Sequence, residues 1–241
     1  GKAIFANTLR ISPDGKALLV GTSTCELFEM TIATETAVMF TQGHFKDETW
    51  GLAMHPKKLL AVTVGEDKTL RVWSLKRKQL DAIRSLPKGA SCAGFNPDGS
   101  LLAIGLVDGG FMVVKSDTLE DVYQGKPRKE RISQTKFSPN GRLLAVGSHD
   151  NFIDIFDATR DFKLLATCTG HNSFITHLDF SADSEVLRST CGAYELLFWK
   201  TRTGTQLKEP SKLRDKKWET ETCILGFHVQ GIWGSCWQGN D

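Results

Sequence analysis

The sequence predicts an all-β fold: a β-propeller with five clear four-stranded blades and a partial sixth. Three observations carry that expectation. First, one segment recurs along the 241 residues. It reads ISPDGKALLVG at 11–21, MHPKKLLAVTVG at 54–65, FNPDGSLLAIG at 95–105, FSPNGRLLAVG at 137–147 and, worn, FSADSEVLRSTCG at 180–192. Second, its turn position falls at Pro13, Pro56, Pro97, Pro139 and Ala182, a period of 41 to 43 residues that marks a repeat architecture. Third, each period holds short β-branched or aromatic runs separated by Pro, Gly and Asp turns.

Residues 43–88 justify the elements in order. WGLAMH is a strand, PKK a turn, LLAVTV a second strand, GEDK a turn, TLRVWSL a third strand, and a fourth lies around QLDAIRSL. In the PDG and PNG copies, Pro presets φ and Gly accepts positive φ, which suits a tight hairpin. LLAVTV is almost wholly apolar, so it needs cover on both faces. Four-stranded meanders stacked face to face around an axis supply that cover. The blades are expected at 1–42, 43–88, 89–130, 131–169 and 170–209, with a weak sixth at 210–241. They would form one partial propeller within a larger tandem.

Composition narrows the class. The chain is 40% hydrophobic and 24% charged, as in soluble globular proteins, and its formal net charge of +2 gives no nucleic-acid signature. No apolar run approaches the ~20 residues of a membrane span. The six cysteines form no C-x-x-C pair, and most lie in apolar runs, so they are expected as reduced, buried thiols of an intracellular protein. The scattered histidines show no H-x-x-H spacing. No G-x-S-x-G or P-loop occurs. The expectation is a non-enzymatic protein with no metal, no cofactor and no small-molecule substrate.

The second unit resembles the WD-repeat family, through Gly43-His44, Thr63, Asp67 and Trp73. The resemblance implies that His44, Thr63, Asp67 and Trp73 form a buried hydrogen-bond relay. Such a set satisfies its own donors and acceptors. Other units keep only parts: Asp108 in the third, Asp150 in the fourth, and His171, Ser189 and Trp199 in the fifth, where Ala193 stands in place of Asp. One complete relay is expected, with stability resting on apolar packing between blades.

Three longer stretches, GSHDNFIDIFD at 147–157, GHNSFITHLDFS at 170–181 and LGFHVQGIW at 225–233, resemble the echinoderm microtubule-associated protein-like family, as does GHFKDETWGLAMHP at 43–56. The resemblance spans about residues 17–233, and the tail GSCWQGND departs from it. It implies most of the second of two tandem propellers, in a long member of the family that repeats the tandem. Tubulin and microtubules are the implied partners, with other proteins bound through propeller faces, and the place is the cytoplasmic cytoskeleton. The rival reading is an adaptor that recruits a signalling enzyme or ligase without touching tubulin. Among the basic clusters, KPRKER and RDKK fall in loops that the WD-repeat resemblance puts on the relay face, and KRK at 76–78 on the opposite one. Lys126, Arg128, Lys129, Arg131, Lys216 and Lys217 are therefore the candidate partner surface.

Overall fold

The computed structural model describes residues 5–23, 25–44, 48–226 and 229. These residues form five antiparallel sheets. Blade one is β1 (Ala6–Ile11), β2 (Ala17–Thr22), β3 (Glu26–Thr31) and β4 (Thr36–Gln42). Blade two is β5 (Thr49–Met54), β6 (Leu60–Gly65), β7 (Thr69–Ser74) and β8 (Gln79–Ser85). Blade three is β9 (Ala90–Phe95), β10 (Leu101–Leu106), β11 (Phe111–Lys115) and β12 (Asp121–Gly125). Blade four is β13 (Ile132–Phe137), β14 (Leu143–Ser148), β15 (Ile153–Asp157) and β16 (Lys163–Cys168). Blade five is β17 (Ile175–Phe180), β18 (Val186–Cys191) and β19 (Leu196–Lys200).

Every sheet is a meander in sequence order. The hairpin between the first two strands explains the recurring turn. In blade three the Asn96 side chain accepts from the Leu101 N–H (2.9 Å) and Asp98 from the Ser100 N–H (2.7 Å). Ser12, Ser138 and Ser181 hold the N–H groups of Ala17, Leu143 and Val186 in the same way, each at 2.9 Å. A side-chain acceptor that mimics a backbone turn is why these residue types precede the corner. Gly99 has φ +82°, and a Cβ there would lie 2.3 Å from the His55 ring, so the corner admits no side chain.

Blades two to five stack through their first strands in the order β5, β9, β13, β17. The core lies between the blades. Val62, Val64, Leu70 and Val72 of blade two meet Leu102, Ile104, Met112 and Val114 of blade three. Ala103, Phe111 and Val113 then meet Ile132, Leu144, Val146 and Phe156, and Ala145, Ile153 and Ile155 meet Leu178, Leu187 and Trp199. In blades two to four the second strand is largely covered on both faces, so its run is apolar rather than alternating.

Three features differ from the expectation. Blade five has three strands: its fourth is reduced to residues 205–207, held by Lys200 N–H to Thr205 O (2.9 Å) and Leu207 N–H to Phe198 O (2.8 Å). The supposed sixth blade contains no strand among its described residues. It holds a short 3-10 helix (Pro210–Leu213) and a segment that returns along β17, where Ala182 N–H donates to Lys217 O and Glu219 N–H to Phe180 O, both at 2.9 Å. Trp218 there covers the buried Arg188, which is paired with Asp179 at 2.7 Å. The tail from 230 lies outside the described residues. Finally, blade one meets blade two chiefly through β4 and β8, and β1 is exposed along its length. Val38, Leu52 and Met54 are therefore more than half exposed.

This asymmetry predicts where mutations hurt. Ile104→Ala empties a site closed between two blades and should cost about 2–5 kcal/mol. Val38→Ala, on the open blade, should stay within about 0.5 kcal/mol. Urea unfolding midpoints of the two variants check both.

Candidate functional site

The relay of blade two is built from four elements. Trp73 on β7 donates its indole N–H to Thr63 Oγ1 on β6 at 2.8 Å. Thr63 Oγ1 lies 2.8 Å from His44 Nε2, and His44 Nδ1 lies 2.9 Å from Asp67 Oδ2. The Thr63 hydroxyl accepts from Trp73 and so donates to Nε2, which leaves the imidazole proton on Nδ1, facing Asp67. Asp67 also receives the Thr69 N–H (3.0 Å) and hydroxyl (2.8 Å), with the buried Arg71 at 3.4 Å. Burial alone would raise the Asp67 carboxyl, but hydrogen bonds from His44 and Thr69 outweigh it and hold it below the ordinary range.

Blade five corrects the expectation of a single complete relay. Ser189 accepts the Trp199 N–H (2.7 Å) and meets His171 Nε2 (2.6 Å). The carboxylate comes not from position 193 but from Glu195, whose Oε2 lies 3.3 Å from His171 Nδ1. The longer side chain reaches back from the far end of the turn. The Asn172 backbone and side chain hold the Glu195 carboxyl down to about 2. Burial holds His171 below the ordinary imidazole value, against the pull of Glu195.

Asp108 and Asp150 belong to no relay, because Ile104 and Val114, or Val146 and Phe156, fill the matching strand positions. Instead they anchor the basic loop between β12 and β13. Lys126 Nζ lies 3.3 Å from Asp108, and Arg128 lies 3.8 Å from Asp150. This overturns part of the candidate surface. Arg128 forms a fork on the buried Asp154, with Nε to Oδ2 at 2.7 Å, and stacks over Phe152, so it is internal structure. The two basic loops also do not share a face. Lys216 pairs with Asp183 in the β17–β18 turn, while loop 126–131 meets the turns that follow β10 and β14. Those turn types lie at opposite ends of the second strand. Lys129 and Lys217 are exposed, with no carboxylate partner among the described residues.

Arg131 leads to residues that the sequence did not single out. Its guanidinium lies 4.1 Å over the half-exposed Trp50 ring and 3.8 Å from Glu66, which also takes the Trp50 N–H at 3.1 Å. This contact crosses from blade four to blade two. Beside it is a concavity of about 410 Å³, lined by Trp50, Ser91, Arg131, Ser133, His149 and Phe174 among others. Trp50, Ser91, Ser133 and Thr176 are each the extra residue of a β-bulge at the same place in the first strand of successive blades. A bulge re-aims a side chain out of the ladder, and here it does so four times into one hollow. A repeated irregularity of one residue leaves no mark in hydrophobic periodicity.

A stacked, antiparallel, four-stranded repeat with a His–hydroxyl–Trp–carboxylate relay defines a WD-repeat-type β-propeller. Residues 49–241 match the family model described as the echinoderm microtubule-associated protein second beta-propeller. The chain is 39% identical over 230 residues to echinoderm microtubule-associated protein-like 2 of Rattus norvegicus, covering 94% of this chain and 35% of that protein. It is also 39% identical to protein-like 3 of Homo sapiens (94% of this chain, 26% of that protein) and to protein-like 4 of Xenopus laevis (97% and 26%). The chain belongs to the echinoderm microtubule-associated protein family and spans about a third or less of these relatives.

Two predictions follow from the buried polar groups. Ser189→Ala strands the Trp199 N–H and His171 in a dry site and should cost about 1–3 kcal/mol. Thr63→Val should cost less, because Trp73 is partly open to water. Thermal melts of the two variants compare them. Acidification should lower stability in two steps. His55, His149, His171 and His177 are all lowered from 6.5, chiefly by burial. The unfolded chain therefore binds more protons just below that value, and stability falls as pH falls. Glu195 and Asp183, at about 2 against 4.5 and 3.8, add a second loss as pH drops through that window. Melting temperatures measured from neutral pH down to about pH 2 test the order. A rise in melting temperature between about pH 7 and 5 would contradict the first step.

Proposed function

We propose that this chain is a non-enzymatic propeller platform that contacts tubulin or microtubules through its relay-end face and works at the cytoskeleton. The supporting observation is the family, whose members are named for microtubule association, together with a basic loop that ends in Arg131 at a preformed hollow. Arg131 stacks on Trp50 at that end, and Lys126 and Lys129 lie on the loop that leads to it. An arginine stacked on an aromatic ring, with exposed lysines on the same loop, suits an acidic protein surface.

Co-sedimentation of the chain with polymerised pure tubulin, at low and moderate salt, tests the reading. Binding should weaken with salt. At about 0.2–1 kcal/mol for each exposed pair, Lys126→Glu with Lys129→Glu should weaken binding at least twofold. Lys217→Glu, at the other end of the blades, should leave it unchanged. A chain folded by circular dichroism that stays in the supernatant would overturn direct contact and favour the adaptor role.

A further inference from the structure

Blades two and five carry the same relay, which makes one an internal control for the other. One register position beside the relay separates them. Gly65 of β6 pairs with Thr49, and Cys191 of β18 pairs with Ile175, each as the last residue of the second strand. A Cβ at Gly65 would lie 3.0 Å from His44 Nδ1 and 3.4 Å from Asp67 Oδ1. Blade five puts a thiol in that place. Cys191 Sγ lies 3.2 Å from Glu195 Oε2, which is itself 3.3 Å from His171 Nδ1. One donor atom from each of the three residues falls within 4.8 Å of the others.

We propose that His171, Cys191 and Glu195 form a binding site for a divalent transition metal of the zinc class, at the relay end of blade five. An imidazole nitrogen, a thiolate and a carboxylate are the donor types that such ions take. With bonds of about 2.0–2.3 Å, tetrahedral ligands stand roughly 3.3–3.8 Å apart, close to two of the separations already present. His171 and Cys191 are buried and Glu195 is partly open, so three protein ligands leave room for water as the fourth. Ser189 supplies the outer support. In the metal-free relay its hydroxyl donates to His171 Nε2. On metal binding the imidazole proton moves from Nδ1 to Nε2 and is donated to Ser189 Oγ, which still accepts from Trp199. One proton, that of the Cys191 thiol, leaves for solvent, and the two anionic ligands balance the dication. The metal would tie the loop entering β17 to the turn after β18. Blade two lacks the thiol and is not such a site.

Sequence spacing conceals this cluster. The ligands come from a loop, a strand end and a turn, and they match no short metal motif. The experiment is a titration of the whole chain with Co²⁺ under a non-chelating phosphine reductant, followed by Zn²⁺ competition and thermal melting. The expected result is a single equivalent with a thiolate-to-cobalt charge-transfer band, displaced by Zn²⁺, and a melting temperature raised by Zn²⁺ and restored by a chelator. Cys191→Ser should abolish the band. Glu195→Gln keeps an acceptor for the relay but removes a ligand charge, so affinity should fall about tenfold or more. Cys25→Ser, which removes an exposed thiol elsewhere, should change nothing. Absence of the band, its survival in Cys191→Ser, or unchanged affinity in Glu195→Gln overturns the proposal. Glu195→Gln also serves as the test should Cys191→Ser fail to fold.

Discussion

Every other feature depends on burying the second strands of the inner blades between two neighbours. β10 and β14 have side chains covered on both faces, which no single meander can achieve. The blade is therefore not a folding unit by itself: its apolar surface has a partner only when the next repeat arrives in register. This constraint fixes the period near 42 residues and keeps the hairpin corner constant. It also explains why relay residues could be lost from blades three and four. Ile104, Val114, Val146 and Phe156 fill the relay positions with packing, and an apolar filling is as good as a satisfied polar one.

The two ends of the stack show what happens where a neighbour is lacking. The outward face of blade five carries Arg188 where blades three and four carry Ala103 and Ala145. A buried guanidinium needs partners, and Asp179, Glu221 and the Trp218 ring supply them from β17 and the returning segment. On the other side, blade two presents Leu52 and Met54 to solvent, and blade one is held mainly at its outer strands.

The polar chemistry collects at the ends of the blades for a related reason. Strand ends and turns escape the packing constraint, so charged residues gather there. The basic loop is tied down by Asp108, Asp150 and Asp154 and then passes Arg131 across to Trp50. Part of its charge serves to hold the loop, and the remainder faces outward. Blade five spends the same end differently, with a thiol beside its relay carboxylate.

Sequence by itself determined the repeat, the hairpin corners, the buried second strands and the four relay positions of blade two. Each of these is local or periodic, and a period survives in a one-dimensional string. Only the tertiary structure decided that Glu195 completes a second relay, that Arg128 is internal, and that Lys216 lies at the opposite end from Lys126. Those outcomes turn on which side chain reaches across a turn or between blades. Glu195 is two residues from the position that alignment to blade two suggests, and Asp154 looks like any polar strand residue until Arg128 meets it. The bulges that aim Trp50 and Ser133 into one hollow are likewise invisible in composition. Contacts between distant residues depend on three-dimensional register, and no short window of sequence contains it.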